Sequence, residues 1–393
     1  MEPIEIKPGI YWVGGIDWNL RNFHGYLTQR GTTYNAYLII DDKVVLVDTV
    51  KHYLFDEMLA RIRAVIDPSQ IDYLVSNHVE MDHSGSLPKM IAMAPNAKVV
   101  TSPNGEKGLR RHFKEEWDPL VVKSGDTLSI GKRTLQFFLT PMVHWPDNMV
   151  TYLSEEKLLL SNDAFGQHIA TTERFDNEVG CWDVLHEEAA KYYANIVLPY
   201  SDQVKRALDA LSGLEIETVA PSHGIIWSTY LPRILEAYQK WANSEAEDRA
   251  LIVYDTMWGS TEKIAYSLLE GLEAEGIPVT LRNLKTTHIS DIMTDVLRSK
   301  AILLGSPTLN MGVLPTMGGF LTYLKGLRPK KRIGLAFGSY GWGCLGVKEM
   351  EAVMNALGWQ VPFEGIDVQY IPDEAELEKV KEVGKQLGAI IKD

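Results

Sequence analysis

The sequence is poor in cysteine and has no long apolar run. Its two cysteines, Cys181 and Cys344, lie far apart and belong to no CxxC pair. This spacing disfavours a disulfide framework, a thiolate zinc site and a built-in iron–sulfur module. The N-terminus lacks a basic region followed by an apolar core, so we expect no secretory signal and no transmembrane helix. We therefore predict a soluble protein of the reducing cytoplasm.

Positive charge is also in short supply. The chain has 39 lysine and arginine residues against 52 aspartate and glutamate residues, a formal net charge of −13. Nucleic acid and anionic membrane both require a basic surface, so neither is expected as the main partner. The length of 393 residues predicts two domains.

The first part of the chain alternates short strands with amphipathic helices. TYNAYLII and KVVLVDTV flank a turn at Asp41-Asp42, which predicts a β-hairpin. Further strands are predicted at IDYLVSN, AKVVTSP, TLQFFLTP and KLLLSND, and helices around 54–66, 86–94 and 183–197. The pattern indicates a layered α and β arrangement with mixed sheets.

A second pattern begins after the polar stretch WANSEAEDRA. ALIVYD is a continuous apolar strand of the type that is buried on both faces in a parallel sheet. Strands are then predicted at 278–283, 300–304 and 332–337, with helices near 260–275, 315–325, 346–357 and from Glu374 onward. Such βα alternation predicts a doubly wound parallel sheet. The boundary is placed near 245–249, which gives domains of 1–247 and 248–393.

Potential metal ligands crowd the stretch NHVEMDHSG. In an extended segment His78 and Glu80 point the same way and can face one ion, while Asp82 and His83 can reach a second ion beyond the turn. Turn segments after later predicted strands add three candidates: His144, Asp163 and His223. Each residue alone is usually a cap, a turn former or a solvated side chain, so only the joint pattern indicates a metal site.

Three loops of the second domain have the composition of a cofactor site. TMWGSTE follows ALIVYD and leads into a helix, whose N-terminus favours an anion. Alone this loop is more often a helix cap, but GSPTLN and GSYGWG follow two other strands and would converge with it at the switch point of a sheet of order 2-1-3-4-5. The candidate contacts are Thr256, Met257, Trp258, Gly259, Ser260, Thr261, Ser306, Pro307, Thr308, Leu309, Asn310, Ser339, Tyr340, Gly341, Trp342 and Gly343.

These patterns resemble known families. The three loops resemble flavodoxin, which implies FMN with its phosphate in the first loop and its ring between the other two. HxExDH with a later His, Asp and His resembles the metallo-β-lactamase superfamily, whose usual first motif is HxHxDH, so Glu80 replaces a histidine. Imidazole-rich sites suit zinc, whereas mixed imidazole and carboxylate ligation suits iron. The whole chain, including HWPDNM and SNDAFGQHIA, resembles the flavodiiron proteins.

The resemblance implies a fold and a set of site residues. The fold is a metallo-β-lactamase-like αββα sandwich followed by a flavodoxin-like doubly wound parallel sheet. The implied ligands are His78, Glu80 and His144 on one iron, Asp82 and His223 on the other, and Asp163 as the bridge; His83 ligates iron in some members and swings away in others. The implied pocket residues are His24, His168 and Tyr193, although Tyr193 is equally consistent with a core position in its helix.

The resemblance also implies an activity. It is the reduction of dioxygen to water, of nitric oxide to nitrous oxide, or of both, at a non-haem diiron site to which FMN relays electrons. Family members form head-to-tail homodimers, so a dimer or a dimer of dimers is expected, with rubredoxin or a reduced deazaflavin as electron donor. The alternative is a zinc-dependent, glyoxalase-type hydrolase fused to a flavodoxin domain, which Glu80 and the flavin loops disfavour.

Overall fold

The computed structural model describes residues 2–393, which form two compact units. The first comprises the residues up to Tyr192 together with Asp202–Gln239, and the second comprises Tyr193–Ser201 together with Lys240–Asp393. Within the described range, no helix has both the length and the apolar composition that a membrane span requires.

The first unit is built from two sheets and flanking helices. Its strands are β1 (Ile4–Lys7), β2 (Ile10–Trp12), β3 (Gly15–Asp17), β4 (Asn22–Phe23), β5 (Tyr26–Leu27), β6 (Thr32–Tyr34), β7 (Tyr37–Ile39), β8 (Val44–Val47), β9 (Ile71–Ser76), β10 (Lys98–Thr101), β11 (Leu120–Val121), β12 (Thr127–Ser129), β13 (Thr134–Leu139), β14 (Met149–Leu153), β15 (Leu158–Asn162) and β16 (Thr218–Pro221). Its helices are α1 (Phe55–Arg63), α2 (Met81–Ser84), α3 (Leu87–Met93), α4 (Pro103–Phe113), α5 (Asp176–Val179), α6 (Trp182–Tyr192), α7 (Ser201–Leu211) and α8 (Leu231–Ala242).

The two sheets pack face to face. One has the order β1-β2-β7-β8-β9-β10-β11 and the other the order β12-β13-β14-β15-β16. Successive side chains of β8 point to opposite faces of its sheet. Val45 and Val47 pack with Phe137 in the core between the sheets, whereas Leu46 packs with Met58 of α1 on the other face. This is the αββα sandwich, and the predicted hairpin is confirmed as the antiparallel pair β7 and β8.

The second unit contains one parallel sheet. Its elements are β17 (Glu247–Tyr254), α9 (Ser260–Ala274), β18 (Val279–Asn283), α10 (Ile289–Arg298), β19 (Ser299–Gly305), α11 (Pro315–Leu327), β20 (Ile333–Tyr340), α12 (Leu345–Ala356), β21 (Ile366–Gln369) and α13 (Glu374–Lys392). The strand order β18-β17-β19-β20-β21, all parallel, confirms the predicted order 2-1-3-4-5. Ile302 and Leu303 point to opposite faces and are both fully buried, because helices cover both sides.

Three features of the second unit were not predicted: helix α10, strand β21 and the inclusion of the segment Tyr193–Ser201. Helix α10 was missed although Ile292, Met293 and Val296 recur at helical spacing and are buried. The segment Tyr193–Ser201 also joins this unit: Asn195 Nδ2 donates a hydrogen bond to the backbone oxygen of Ser290 at 3.0 Å. A side-chain contact across 95 positions leaves no local sequence pattern.

Asp176 fixes the connection between β16 and α8. Its buried carboxylate accepts hydrogen bonds from the backbone amides of Ser228 (3.0 Å), Thr229 (3.1 Å) and Tyr230 (2.6 Å), and from the Ser228 hydroxyl (3.0 Å). Without this carboxylate, three backbone amides and one hydroxyl would lose their protein acceptor, which lowers stability.

The variant Asp176→Ala should therefore lower the free energy of unfolding by about 3 kcal/mol, because a charged acceptor of several hydrogen bonds is lost. Urea denaturation of the metal-free protein, followed by circular dichroism, measures the change. The adjacent, exposed Asn177 provides the control variant Asn177→Ala. Equal stability of the two variants would show that the carboxylate does not hold this connection.

Candidate metal centre and cofactor cavity

The ends of several strands of the first unit carry the predicted ligands. His78 and Glu80 follow β9, and the short helix α2 then supplies Asp82 and His83. The remaining three come from the loop after β13, the end of β15 and the end of β16: His144, Asp163 and His223. The structure brings all seven together, as two groups: His78, Glu80, His144 and Asp163, and Asp82, His83 and His223.

Asp163 faces both groups. Its Oδ2 lies 3.5 Å from His78 Nε2 and 3.4 Å from His144 Nε2. Its Oδ1 lies 3.0 Å from His83 Nε2 and 3.4 Å from His223 Nε2. One carboxylate thus presents one oxygen to each group, which is the geometry of a bridging ligand.

The other two carboxylates complete the groups. Glu80 Oε2 lies 3.3 Å from Nε2 of both His78 and His144. Asp82 Oδ2 lies 3.3 Å from His223 Nε2, and Asp82 Oδ1 lies 3.4 Å from His83 Nε2. Two ligands that each lie about 2.0–2.2 Å from one ion are roughly 3 Å apart when their bonds are at right angles. The observed separations therefore fit two metal positions.

Buried polar atoms without partners support the same conclusion. Among the described residues, the carboxylate oxygens of Asp82 and Asp163 and both ring nitrogens of His83 are buried and make no hydrogen bond. They lie close to one another, yet they are not aligned as donor and acceptor. Buried polar groups without partners lower the stability of the folded protein. A cation at the point where they converge would remove this destabilisation. The donor set therefore fits two metal ions.

Neighbouring groups orient the ligating nitrogens. His78 Nδ1 donates to Asp147 Oδ2 at 2.9 Å, and the same oxygen accepts the backbone amide of Val79 at 2.8 Å. His223 Nδ1 donates to the backbone oxygen of Thr33 at 2.9 Å. Each contact leaves the Nε2 lone pair free to face the centre. Asp147 was not predicted, although it stands three positions after His144 in HWPD.

The pKa shifts at the centre indicate that the ligand cluster favours bound positive charge. Burial acts to lower the pKa of His144 and of His223, but the nearby carboxylates outweigh it and raise the two values to about 9 and about 10. Burial acts to raise the pKa of Asp163, but the adjacent His83 and His144 hold it well below its usual range. Protons in the metal-free protein therefore occupy positions that metal ions would take.

Two of the predicted pocket residues lie beside the centre. His24 Nε2 is 3.0 Å from Glu80 Oε1, and this contact raises the pKa of His24. His168 is fully buried, and burial together with the neighbouring His223 lowers its pKa well below the usual value. Its Nδ1 lies 2.8 Å from the Thr32 hydroxyl, which itself donates to the backbone oxygen of Thr33. His168 is therefore neutral and presents an Nε2 lone pair rather than a proton.

Tyr192 takes the place expected for Tyr193. The ring of Tyr192 lies 5.1 Å from that of His168 and 5.9 Å from that of His223, measured between centroids. Tyr193 instead has its hydroxyl 3.0 Å from Ser201 Oγ and its ring 5.3 Å from Trp241. Helix α6 ends at Tyr192 and a wider turn begins, so the helical phase needed to choose between adjacent tyrosines is lost at this point.

The second unit has a cavity of about 640 Å³ where its three predicted loops meet. This volume lies in the range of small-molecule and cofactor sites. The lining residues are Met257, Trp258, Ser260, Pro307, Thr308, Leu309, Asn310, Met311, Ser339, Tyr340, Gly341, Trp342, Gly343, Tyr370 and Ile371. Met311, Tyr370 and Ile371 were not predicted; the last two follow β21, a strand that the sequence analysis missed.

The other predicted loop residues do not line the cavity but fix the conformation of its loops. Thr256 Oγ1 accepts the amide of Gly259, whose φ of 87° is unfavourable for residues with a Cβ. The Thr261 hydroxyl lies 3.0 Å from that of Ser339 and joins the first loop to the third. Ser306 Oγ accepts the amide of Leu314.

The start of α9 offers this cavity unpaired backbone amides and the Ser260 hydroxyl. Together with the surrounding apolar walls, they fit a flavin with a phosphate group.

Comparisons with known proteins cover nearly the whole chain. Residues 32–224 match the ODP family beta lactamase model, and residues 252–384 match the flavodoxin model. The chain is 46% identical to a nitric oxide reductase of Moorella thermoacetica, with 100% of both chains covered. It is 42% identical to the rubredoxin-oxygen oxidoreductase of Megalodesulfovibrio gigas, covering 100% of this chain and 99% of the other. A flavodiiron protein of Giardia intestinalis superposes with a TM-score of 0.97 at 34% identity, over 100% of this chain and 97% of the other.

The variant Asp147→Ala should reduce metal affinity by about 10- to 100-fold, because His78 loses the partner that orients its ring. Metal content after dialysis against a graded series of chelator concentrations measures this loss. Asp209→Ala, at an exposed position of α7, is the control and should bind metal as the wild type does. Unchanged metal retention in Asp147→Ala would contradict the orienting role.

Proposed function

The chain belongs to the flavodiiron proteins, and we propose that it reduces dioxygen, nitric oxide or both at a non-haem diiron site, with FMN as the electron relay. The observation that carries this proposal is the presence of two sites in one chain: a two-metal ligand cluster centred on Asp163 and a flavin-sized cavity. A hydrolase has no need of a redox cofactor, and a simple flavodoxin has no need of two metal ions.

We assign His78, Glu80 and His144 to one iron, and Asp82, His83 and His223 to the other, with Asp163 between them. The inward position of His83, whose Nε2 lies 3.0 Å from Asp163 Oδ1, supports its inclusion. A zinc hydrolase is the second candidate, but the Glu80 carboxylate between two imidazoles favours iron.

When bound, the two irons would supply adjacent redox centres for a diatomic substrate, and FMN would supply electrons one at a time. The protein holds the substrate pocket around them. Phe23, Tyr26 and Tyr192 place their rings against His168 and restrict water there. His24 holds a proton on Nε2 and directs it at Glu80 Oε1, and neutral His168 can accept a hydrogen bond at Nε2.

We propose that FMN binds with its phosphate at the start of α9 and its ring beside the loop Ser339–Gly343. Backbone amides and the Ser260 hydroxyl would hold the phosphate without a lysine. Small residues such as Gly341 and Gly343 allow the backbone to approach the ring edge.

We further propose a head-to-tail homodimer and an external donor. Trp258 and Trp342 flank the cavity and are 93% and 91% exposed, an unusual situation for tryptophan that a second subunit would relieve. The partner's metal centre would then receive electrons from this flavin. The name of the Megalodesulfovibrio gigas relative supports rubredoxin as the donor, with a reduced deazaflavin as the other candidate.

The function is tested by loading and turnover. Purified, anaerobically reconstituted protein should contain about two irons and one FMN per chain, as a two-metal ligand set and one cavity require. With reduced rubredoxin, or alternatively reduced deazaflavin, it should consume dioxygen or nitric oxide in parallel electrode assays. Zinc in place of iron, or no consumption of either gas with both donors, would contradict the proposal.

Two variants separate the sites in this test. Asp163→Ala should lose iron and activity but keep FMN, whereas Thr261→Ala should weaken FMN binding and keep iron. Loss of both cofactors in one variant would indicate misfolding of that variant.

The dimer is tested by Trp342→Ala. Removal of this exposed ring should shift the protein toward monomer in analytical ultracentrifugation and slow electron transfer from FMN to the metal centre. Because Trp342 also lines the cavity, the FMN content of the same sample is measured and the transfer rate is expressed per bound FMN. The control is Trp18→Ala, which removes an exposed tryptophan ring of the first unit and tests whether the loss of any exposed ring has this effect. A wild-type protein that is monomeric at full activity would refute the assembly.

A further inference from the structure

A small, mostly buried cavity lies directly behind two of the metal-ligand loops. Its floor is the outer face of β14 and β15, and its roof is formed by α7 and by Tyr238 of α8. Val143 and Ala164 also line it, and they are the immediate chain neighbours of the predicted ligands His144 and Asp163. The cavity and the metal centre therefore share two loops.

The lining of the cavity is mostly apolar. The hydroxyl of Ser161 already donates to the backbone oxygen of Ala164 at 2.7 Å, and that of Tyr238 accepts the amide of Phe165 at 2.7 Å. Apart from these groups and Thr140, aliphatic side chains and the ring of Phe165 form the walls. Water needs two or more polar partners to occupy an internal site, whereas apolar cavities stay dry and take up apolar ligands such as xenon.

The size of the cavity selects a small occupant. Its volume is about 20 Å³. This exceeds the roughly 10–15 Å³ that one water-sized molecule needs. On α7 the lining side chains follow helical spacing, and Ala207 is the small residue in a face otherwise made of valine and leucine. A larger side chain at this position would extend into the space.

We propose that this cavity is a docking site for small apolar gas molecules. Substrate bound there would move from the cavity to the adjacent metal centre. The inference rests on the proposed reduction of dioxygen or nitric oxide, since both are small, neutral and weakly hydrated. Rotamer changes of the Val143 side chain, next to His144, open the way from the cavity to the ligand loops.

Xenon provides a probe that does not depend on turnover. Crystals of the iron- and FMN-loaded protein, pressurised with xenon, should show an anomalous scattering peak between Ala207 and Phe165. Ala207→Val, and as a second filling variant Val204→Ile, should abolish or strongly reduce the peak. The matched control is Ala210→Val, which makes the same change at an exposed position of the same helix. Absence of xenon from the wild-type cavity would overturn the proposal.

Kinetics then test the role in substrate supply. The filling variants should lower kcat/KM for the gas severalfold while kcat at saturating gas, iron content and FMN content stay at wild-type values. Ala210→Val should leave all four quantities unchanged. Filling variants that exclude xenon but keep the wild-type kcat/KM would refute a role in supply. A wild-type protein that binds xenon yet consumes neither gas would count against the reductase activity and not against the gas site.

Discussion

The structure depends most on the convergence of carboxylates and imidazoles at Asp163. Burying several ionisable groups in one place costs more free energy than their mutual attraction returns unless a compensating charge is present, and two cations at this point would supply that charge. Because the ligands come from strand ends far apart in the chain, the sheets must hold their register for the groups to meet. Asp147 and the backbone of Thr33 then fix two imidazole rings so that the ligating nitrogens face inward.

The two sites differ in how they meet solvent. The metal centre is enclosed, and its ligands are positioned by side chains that are themselves buried. The flavin cavity is open, and Trp258 and Trp342 project from its rim. A buried ligand cluster excludes water, whereas an open cavity leaves a bound cofactor accessible to other proteins. The small apolar cavity behind His144 and Asp163 adds a third environment, one that suits neither water nor ions.

Much of the fold and of the candidate site could be predicted from the sequence, because the patterns involved are local. The hairpin at Asp41-Asp42 and the 2-1-3-4-5 sheet follow from period-two and βα patterns, which short segments of chain express on their own. The seven candidate ligands could be named because the HxExDH spacing places four donors in one stretch and three more follow later predicted strands. Helix α10 and strand β21 were missed although α10 has a clear periodicity, and the loss of β21 also hid Tyr370 and Ile371 from the predicted flavin contacts.

The sequence by itself determined which chemical groups are available: four histidines and three carboxylates in one unit, three loops rich in small and hydroxylated residues in the other. Only the tertiary structure decided how they are used. It turns His83 inward, presents one Asp163 oxygen to each metal position, and puts Tyr192 rather than Tyr193 beside His168. It also recruits Asp147 as the partner of His78. These outcomes depend on packing between segments up to 190 residues apart, as between His223 and Thr33, and no local pattern encodes such distances.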